Sequence, residues 1–207
     1  MNPFLVVLLG PDGAGKSTLL SAMRAKAPDW CYPRVEPLAV YDTLGVPRSV
    51  HPKEFIWDLP RTSRTAVLAQ IIAAMADRQV VPALEAGQVV VCDSYDIRYR
   101  AKERVVDAPT APLLDALGGT IPRPDLAIWL DVPLDLAWAR KGGRCSRFEG
   151  APTTDRAGFG ALQSRVEEII FADLLDGCPV ARLDGLLAPD ELAVLGVDLI
   201  REASGRQ

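Results

Sequence analysis

Phe4-Leu5-Val6-Val7-Leu8-Leu9 runs directly into Gly10-Pro11-Asp12-Gly13-Ala14-Gly15-Lys16-Ser17-Thr18, and this passage decides the fold. An apolar run without polar alternation predicts a strand buried on both faces, as in a parallel sheet covered by helices. Gly10–Ser17 matches G-x-x-x-x-G-K-[ST] without a mismatch, and a helical stretch follows from Lys16 to Ala27. Strand, glycine-rich turn and helix is the context this motif requires.

The chemistry explains the residue types. Glycines let successive backbone N–H groups turn inward around phosphate oxygens, and the helix N-terminus adds a favourable dipole. Residues 10–18 are therefore the candidate ATP-binding residues, with Lys16 meeting the β/γ-phosphates and Ser17 offering a hydroxyl to Mg²⁺. Asp12 stands inside this loop, where a bare carboxylate would repel phosphate. Two roles suit it: stabilising the turn, or acting at the transferred phosphoryl group.

Outward from the loop, strand and helix alternate. A long helix is predicted from about Arg61 to Glu85, with Val67, Leu68, Ile71, Ile72 and Met75 on one face and Pro82 as a point of kinking or splitting. Val89–Asp93, Leu126–Asp131 and Val180–Asp184 read as further strands, and Cys31–Val40, broken by Pro33 and Pro37, as a weaker one. Helices are predicted at about Leu134–Lys141, Asp155–Leu175 and from Pro189; Tyr41–Pro60 reads as irregular. The class is α/β with a mostly parallel sheet, and 207 residues suit one domain. Asp93, ending its strand, suits a Mg²⁺ ligand or a helix N-cap, whereas Asp131, followed by Pro133, reads as a cap.

Composition narrows the function classes. A formal net charge of −4 and a pI of about 5.1 argue against a protein that tracks duplex DNA, so any basic site is local. Four scattered cysteines and one histidine offer neither a zinc site nor a disulfide framework. No apolar run reaches membrane-spanning length and Phe4–Leu9 lacks the flank of a signal peptide, so the expectation is a cytoplasmic protein without a membrane partner.

Several segments together resemble the thymidylate kinase family. The loop Gly10–Thr18 is close to that family's version. Ala76-Asp77-Arg78-Gln79 with Pro82-Ala83-Leu84 and Gly87–Asp93 is similar to its long helix and second motif strand. Pro124–Pro133 with Ala139-Arg140-Lys141 is similar to its fourth strand and the helix entering the lid, and Arg147-Phe148-Glu149 to the end of the lid. The likeness runs in order over about residues 4–200. It implies a P-loop NTPase three-layer fold with a five-stranded parallel sheet, a lid over about residues 141–152, ATP and Mg²⁺, a nucleotide acceptor and a homodimer. It implies that Asp12 helps position the acceptor, and that a chain with Gly13 in the loop carries its catalytic arginine in the lid. Arg144 and Arg147 are the candidates there.

Departures from the family cluster in the acceptor half. Asp93-Ser94-Tyr95 stands where the family has Asp-Arg-Tyr, and serine cannot make arginine's bidentate contact with a phosphate. Ala74 occupies the position of the aromatic that stacks on thymine. The Glu-Pro-Gly-Gly turn survives only as Glu36-Pro37, which leaves Glu36 as an acceptor candidate. Arg78 stands at the base-binding position and is either a ligand or an ordinary helix-surface arginine. Arg98, Arg100 and Lys102 either replace the lost arginine or are solvated loop charges.

Three readings follow. The first is a kinase moving the γ-phosphoryl of Mg-ATP to a nucleoside monophosphate, dTMP foremost. The second is a kinase of the same fold acting on a modified nucleotide, a nucleoside hydroxyl or a hydroxymethylated base. The third is an ATP-binding regulator without transfer activity.

Overall fold

The computed structural model describes residues 2–34, 56, 59–106, 109–144 and 153–205. Strand β1 (Phe4–Leu9) lies between β2 (Val89–Asp93) and β3 (Leu126–Asp131), and β4 (Val180–Asp184) pairs with the far side of β3. All pairings are parallel, as the unalternating apolar strands require. Among the described strands only β4, at the edge, alternates exposed and partly buried residues.

Among the described residues the sheet has four strands, against the five expected. At the β2 edge the described part of the remaining candidate strand forms a parallel bridge, in which the Cys31 N–H donates to the Val89 carbonyl (2.8 Å) and its carbonyl accepts from Val91 (2.9 Å). Pro33 has no N–H to extend the ladder. The rest of the weaker candidate strand, from residue 35, lies outside the described residues, as do most of residues 41–60.

Each face of the sheet carries its own apolar layer. Val6 and Leu8 point toward α1 (Lys16–Lys26) and the C-terminal helix Pro189–Ala203, which pack on each other. Leu5, Val7 and Leu9 point the other way. They meet the end of α2 (Arg61–Met75), α4 (Ile97–Val105) and α7 (Arg156–Ile169).

The long helix of the sequence reading is interrupted. A π turn (Ala76–Val80) separates α2 from α3 (Val81–Glu85). Pro82 lacks an N–H and its ring would crowd the carbonyl four residues back, and the looser i→i+5 turn ahead of it accommodates both defects. Arg61–Glu85 is long and apolar enough to cross a membrane by length and composition alone, but Val67, Leu68, Ile71, Ile72 and Met75 are buried within this structure. Helix α7 likewise ends in a π turn, Ile170–Leu174.

Two helices escaped the sequence reading: α4, read there as a loop, and α5 (Ala111–Gly118). Asp131 does not cap a helix. The N-cap of α6 (Leu134–Arg140) is Pro133, and Asp131 pairs with Arg182 on β4 at 2.9 Å. The remaining helix, Pro189–Ala203, is α8.

Candidate active site

The ends of β1 and β2, the start of α1 and one face of α4 converge on an open cleft of about 1060 Å³. Among the described residues, six basic side chains and two acidic ones, Asp12 and Asp93, line it, although the chain as a whole is acidic.

The glycine loop forms its floor. Gly15, the N-cap of α1, has φ +99°, and a side chain there would meet open space, so backbone conformation alone selects glycine. Gly13 is constrained twice. Its φ is +86°, and a Cβ would run into the Ala137 carbonyl oxygen on α6. That close approach leaves no room for a loop side chain, which accounts for the loop's lack of an arginine at this position.

Lys16 is buried and donates to the carbonyls of Gly10 (3.1 Å) and Pro11 (3.0 Å). Burial depresses its pKa to about 8, with Arg98 adding to the effect and Asp12 and Asp93 opposing it. The Ser17 hydroxyl donates to Asp93 Oδ2 at 3.1 Å, bringing both candidate Mg²⁺ ligands together. A hydroxyl and a carboxylate are suitable hard oxygen donors. Among the described residues there is no cluster of three or more metal-binding side chains.

Asp12 is the hub of a buried polar network at one end of the cleft. Its carboxylate accepts from Arg98 at 2.8 Å, Lys102 at 2.9 Å and Gln163 Nε2 at 3.2 Å. The Gln163 side-chain carbonyl accepts from the Asp12 N–H (3.1 Å) and from Arg98 (2.8 Å). Burial would raise the Asp12 pKa, but Arg98, Lys102 and Lys16 outweigh it and hold the carboxyl well below the usual carboxylate range. Arg98 also donates to the Gly10 carbonyl at 2.6 Å. Ser94, where the family has arginine, is buried and donates to Asp93 Oδ1 at 2.8 Å. Ser94 and Tyr95 both adopt positive φ, 65° and 42°, a strained turn at the mouth of the cleft.

The other sequence candidates separate. Arg100 turns away from the cleft to Asp96 (3.0 Å) and Asp115 (2.9 Å). Arg78 is exposed within the π turn and does not line the cleft. In an uninterrupted α-helix it would continue the face of Leu68, Ile71 and Met75, which does line the cleft; the π turn rotates it off that face. Arg144 is exposed just after α6. Arg147 and Glu36 lie outside the described residues.

Sequence reasoning missed Gln163 and Tyr99 and left Lys102 between a replacement for the lost arginine and a solvated loop charge. The four-residue spacing of Arg98 and Lys102 was a usable signal once that segment is helical. Gln163 carried none. At the donor end, Arg140 donates to Ala14 (3.2 Å) and Gly185 (3.0 Å), tying the loop to the turn after β4.

Sequence comparison gives this arrangement relatives. A protein named thymidylate kinase from Alkalilimnicola ehrlichii is 32% identical over 181 residues, covering 80% of this chain and 82% of that protein. Another, from Latilactobacillus sakei, is 28% identical over 144 residues, 66% of each chain. No family model matches the chain.

Proposed function

We infer a function from one premise: this chain belongs to the thymidylate kinase family, as 32% identity across most of both chains shows. It is a nucleotide kinase. The reaction we propose is transfer of the γ-phosphoryl group of ATP to the phosphate of a nucleoside monophosphate, dTMP being the first acceptor to test. The bond from the γ-phosphorus to the bridging oxygen breaks as an acceptor phosphate oxygen bonds to that phosphorus, releasing ADP and a nucleoside diphosphate.

Residues 10–18 would hold the triphosphate and Lys16 would balance charge on the transferring group. Ser17 and Asp93 would hold Mg²⁺, which when bound offsets phosphate charge. Arg144 and Arg147 are the proposed cationic groups at the transferring phosphoryl; the expected lid, about residues 141–152, lies mostly outside the described residues.

The observation that carries the choice of acceptor is the state of Asp12. A hydroxyl acceptor needs a general base with a pKa near the working pH. Asp12, with its carboxylate oxygens tied to Arg98 at 2.8 Å, Lys102 at 2.9 Å and Gln163 at 3.2 Å, is a poor one. A phosphate monoester attacks as a dianion and needs no proton removed. The same-fold alternative, a kinase for an unusual acceptor, draws support from Ser94 in place of arginine and from the aliphatic wall of Leu68, Ile71 and Met75.

The test is coupled ADP release with Mg-ATP against dTMP, dUMP, other monophosphates and free nucleosides, each product identified. Diphosphate formation from a monophosphate supports the reading. Phosphorylation of nucleosides alone would replace it with the alternative, and ATP binding without any transfer would leave a regulator.

A further inference from the structure

We propose that Arg98 and Lys102 of α4 form the subsite for the acceptor's phosphate dianion, and that Asp12 occupies this subsite as an internal stand-in until the acceptor displaces it. The proposal rests on the kinase reading above.

Three observations carry it. First, two cations converge on one carboxylate at the cleft. Arg98 and Lys102, 6% and 3% exposed, both pair with Asp12, at 2.8 and 2.9 Å. A guanidinium and an ammonium held side by side around an anion form a geometry that a phosphate dianion fits as well as a carboxylate does.

Second, the position is right for transfer. Arg98 Nη1 and Lys16 Nζ both donate to the same Gly10 carbonyl oxygen, at 2.6 and 3.1 Å. An anion held by Arg98 therefore sits beside the lysine that would meet the transferring phosphoryl group. Both Arg98 and Lys102 line the cleft, so a ligand within it reaches them without rearrangement of the fold.

Third, the residue this subsite would replace is accounted for. Ser94 is buried and spends its hydroxyl on Asp93, leaving no cation on that turn. Arg98 lies one helical turn further along and Lys102 another, on a single face, because residues four apart on an α-helix are stacked. A guanidinium supplies the fork that matches phosphate oxygens, and an ammonium adds a compact point charge.

When a phosphate takes these donors, the Asp12 carboxylate is released toward the cleft, still held by Gln163. The competing explanation is that the pair serves only to neutralise Asp12.

The test titrates inorganic phosphate, dTMP and thymidine into the full chain, alone and loaded with Mg²⁺ and a non-hydrolysable ATP analogue that occupies the glycine loop. The variants are Lys102→Gln, Lys102→Arg, Asp12→Asn and the Asp12→Asn/Lys102→Gln double variant, followed by calorimetry. The expected result is about a tenfold loss of phosphate and dTMP affinity in Lys102→Gln, with thymidine unchanged and affinity largely recovered in Lys102→Arg. Asp12→Asn should bind phosphate more tightly than the parent, and the double variant should lose that gain. Phosphate affinity indifferent to Lys102, or a double variant that binds like Asp12→Asn, overturns the proposal. Failure of the ATP analogue to bind would sink the kinase reading instead, while the unloaded titrations still decide the subsite. Lys102-dependent binding of phosphate without binding of dTMP supports the subsite and removes dTMP as acceptor.

Discussion

The Ser17 hydroxyl donates to the Asp93 carboxylate across 3.1 Å, joining the first turn of α1 to the last residue of β2. Two residues 76 positions apart thereby face one point of the cleft. If that point holds Mg²⁺, Asp93→Asn should raise the Mg²⁺ concentration needed for half-maximal turnover by about 10–100-fold. An unchanged Mg²⁺ profile would assign Asp93 to positioning Ser17 and Ser94 only.

The two loop glycines separate backbone strain from steric exclusion. Gly15→Ala adds a side chain at φ +99° into open space and should cost about 1–3 kcal/mol. Gly13→Ala adds the same strain and forces the Cβ against the Ala137 carbonyl, so its loss should be larger. Denaturant unfolding of both variants checks the order. Equal losses would mean that α6 moves aside freely.

Lys16 should make nucleotide binding pH-dependent. With its pKa depressed to about 8 from 10.5, the folded chain binds fewer protons than the unfolded chain between those values, and stability rises with pH across that window. A bound triphosphate restores negative charge beside the ammonium and raises its pKa. Binding of ATP just above that pKa should therefore take up a proton fraction at Lys16, and this fraction should vanish about two units below it, where the ammonium is already protonated before ATP binds. Calorimetry in buffers of different ionisation enthalpy measures it, and Lys16→Met should abolish the uptake.

Glu103, 1% exposed, anchors the wall of the cleft. It accepts from Arg64 at 3.0 Å and from the Thr65 hydroxyl at 2.7 Å, both on α2. Truncation in Glu103→Ala leaves Arg64 without this partner and should cost about 3–5 kcal/mol in urea unfolding. A loss below about 1 kcal/mol would mean that water replaces the carboxylate.

Arg100 provides the contrast to Arg98. Its guanidinium is held between Asp96 and Asp115, away from the cleft. Arg100→Gln should lower stability by about 1–3 kcal/mol and leave the KM for the acceptor where it was. A raised acceptor KM without loss of stability would return Arg100 to the site.

Much of this fold was legible because its signals are local. Unalternating apolar strands, the loop glycines and the position of Pro82 each act within a few residues, and all three appear where the sequence put them. The acceptor side was less legible. Arg98, Arg100 and Lys102 stood between replacements for the lost arginine and solvated loop charges, because Ile97–Val105 has no apolar periodicity long enough to announce a helix. Arg78 stood between base ligand and helix-surface arginine on the resemblance alone, and its exposed place in the π turn is a tertiary outcome.

By itself the sequence determined the phosphate cradle and the parallel α/β frame around it, because only glycine tolerates those backbone angles and only doubly buried strands are apolar throughout. Which charges meet the cradle was decided by tertiary structure alone. A helix turning every 3.6 residues sends Arg98 and Lys102 to one face and Arg100 to another, and only packing of α4 beneath the loop makes the first face the inner one. Gln163 arrives at Asp12 from 151 residues away, a meeting that no local rule contains.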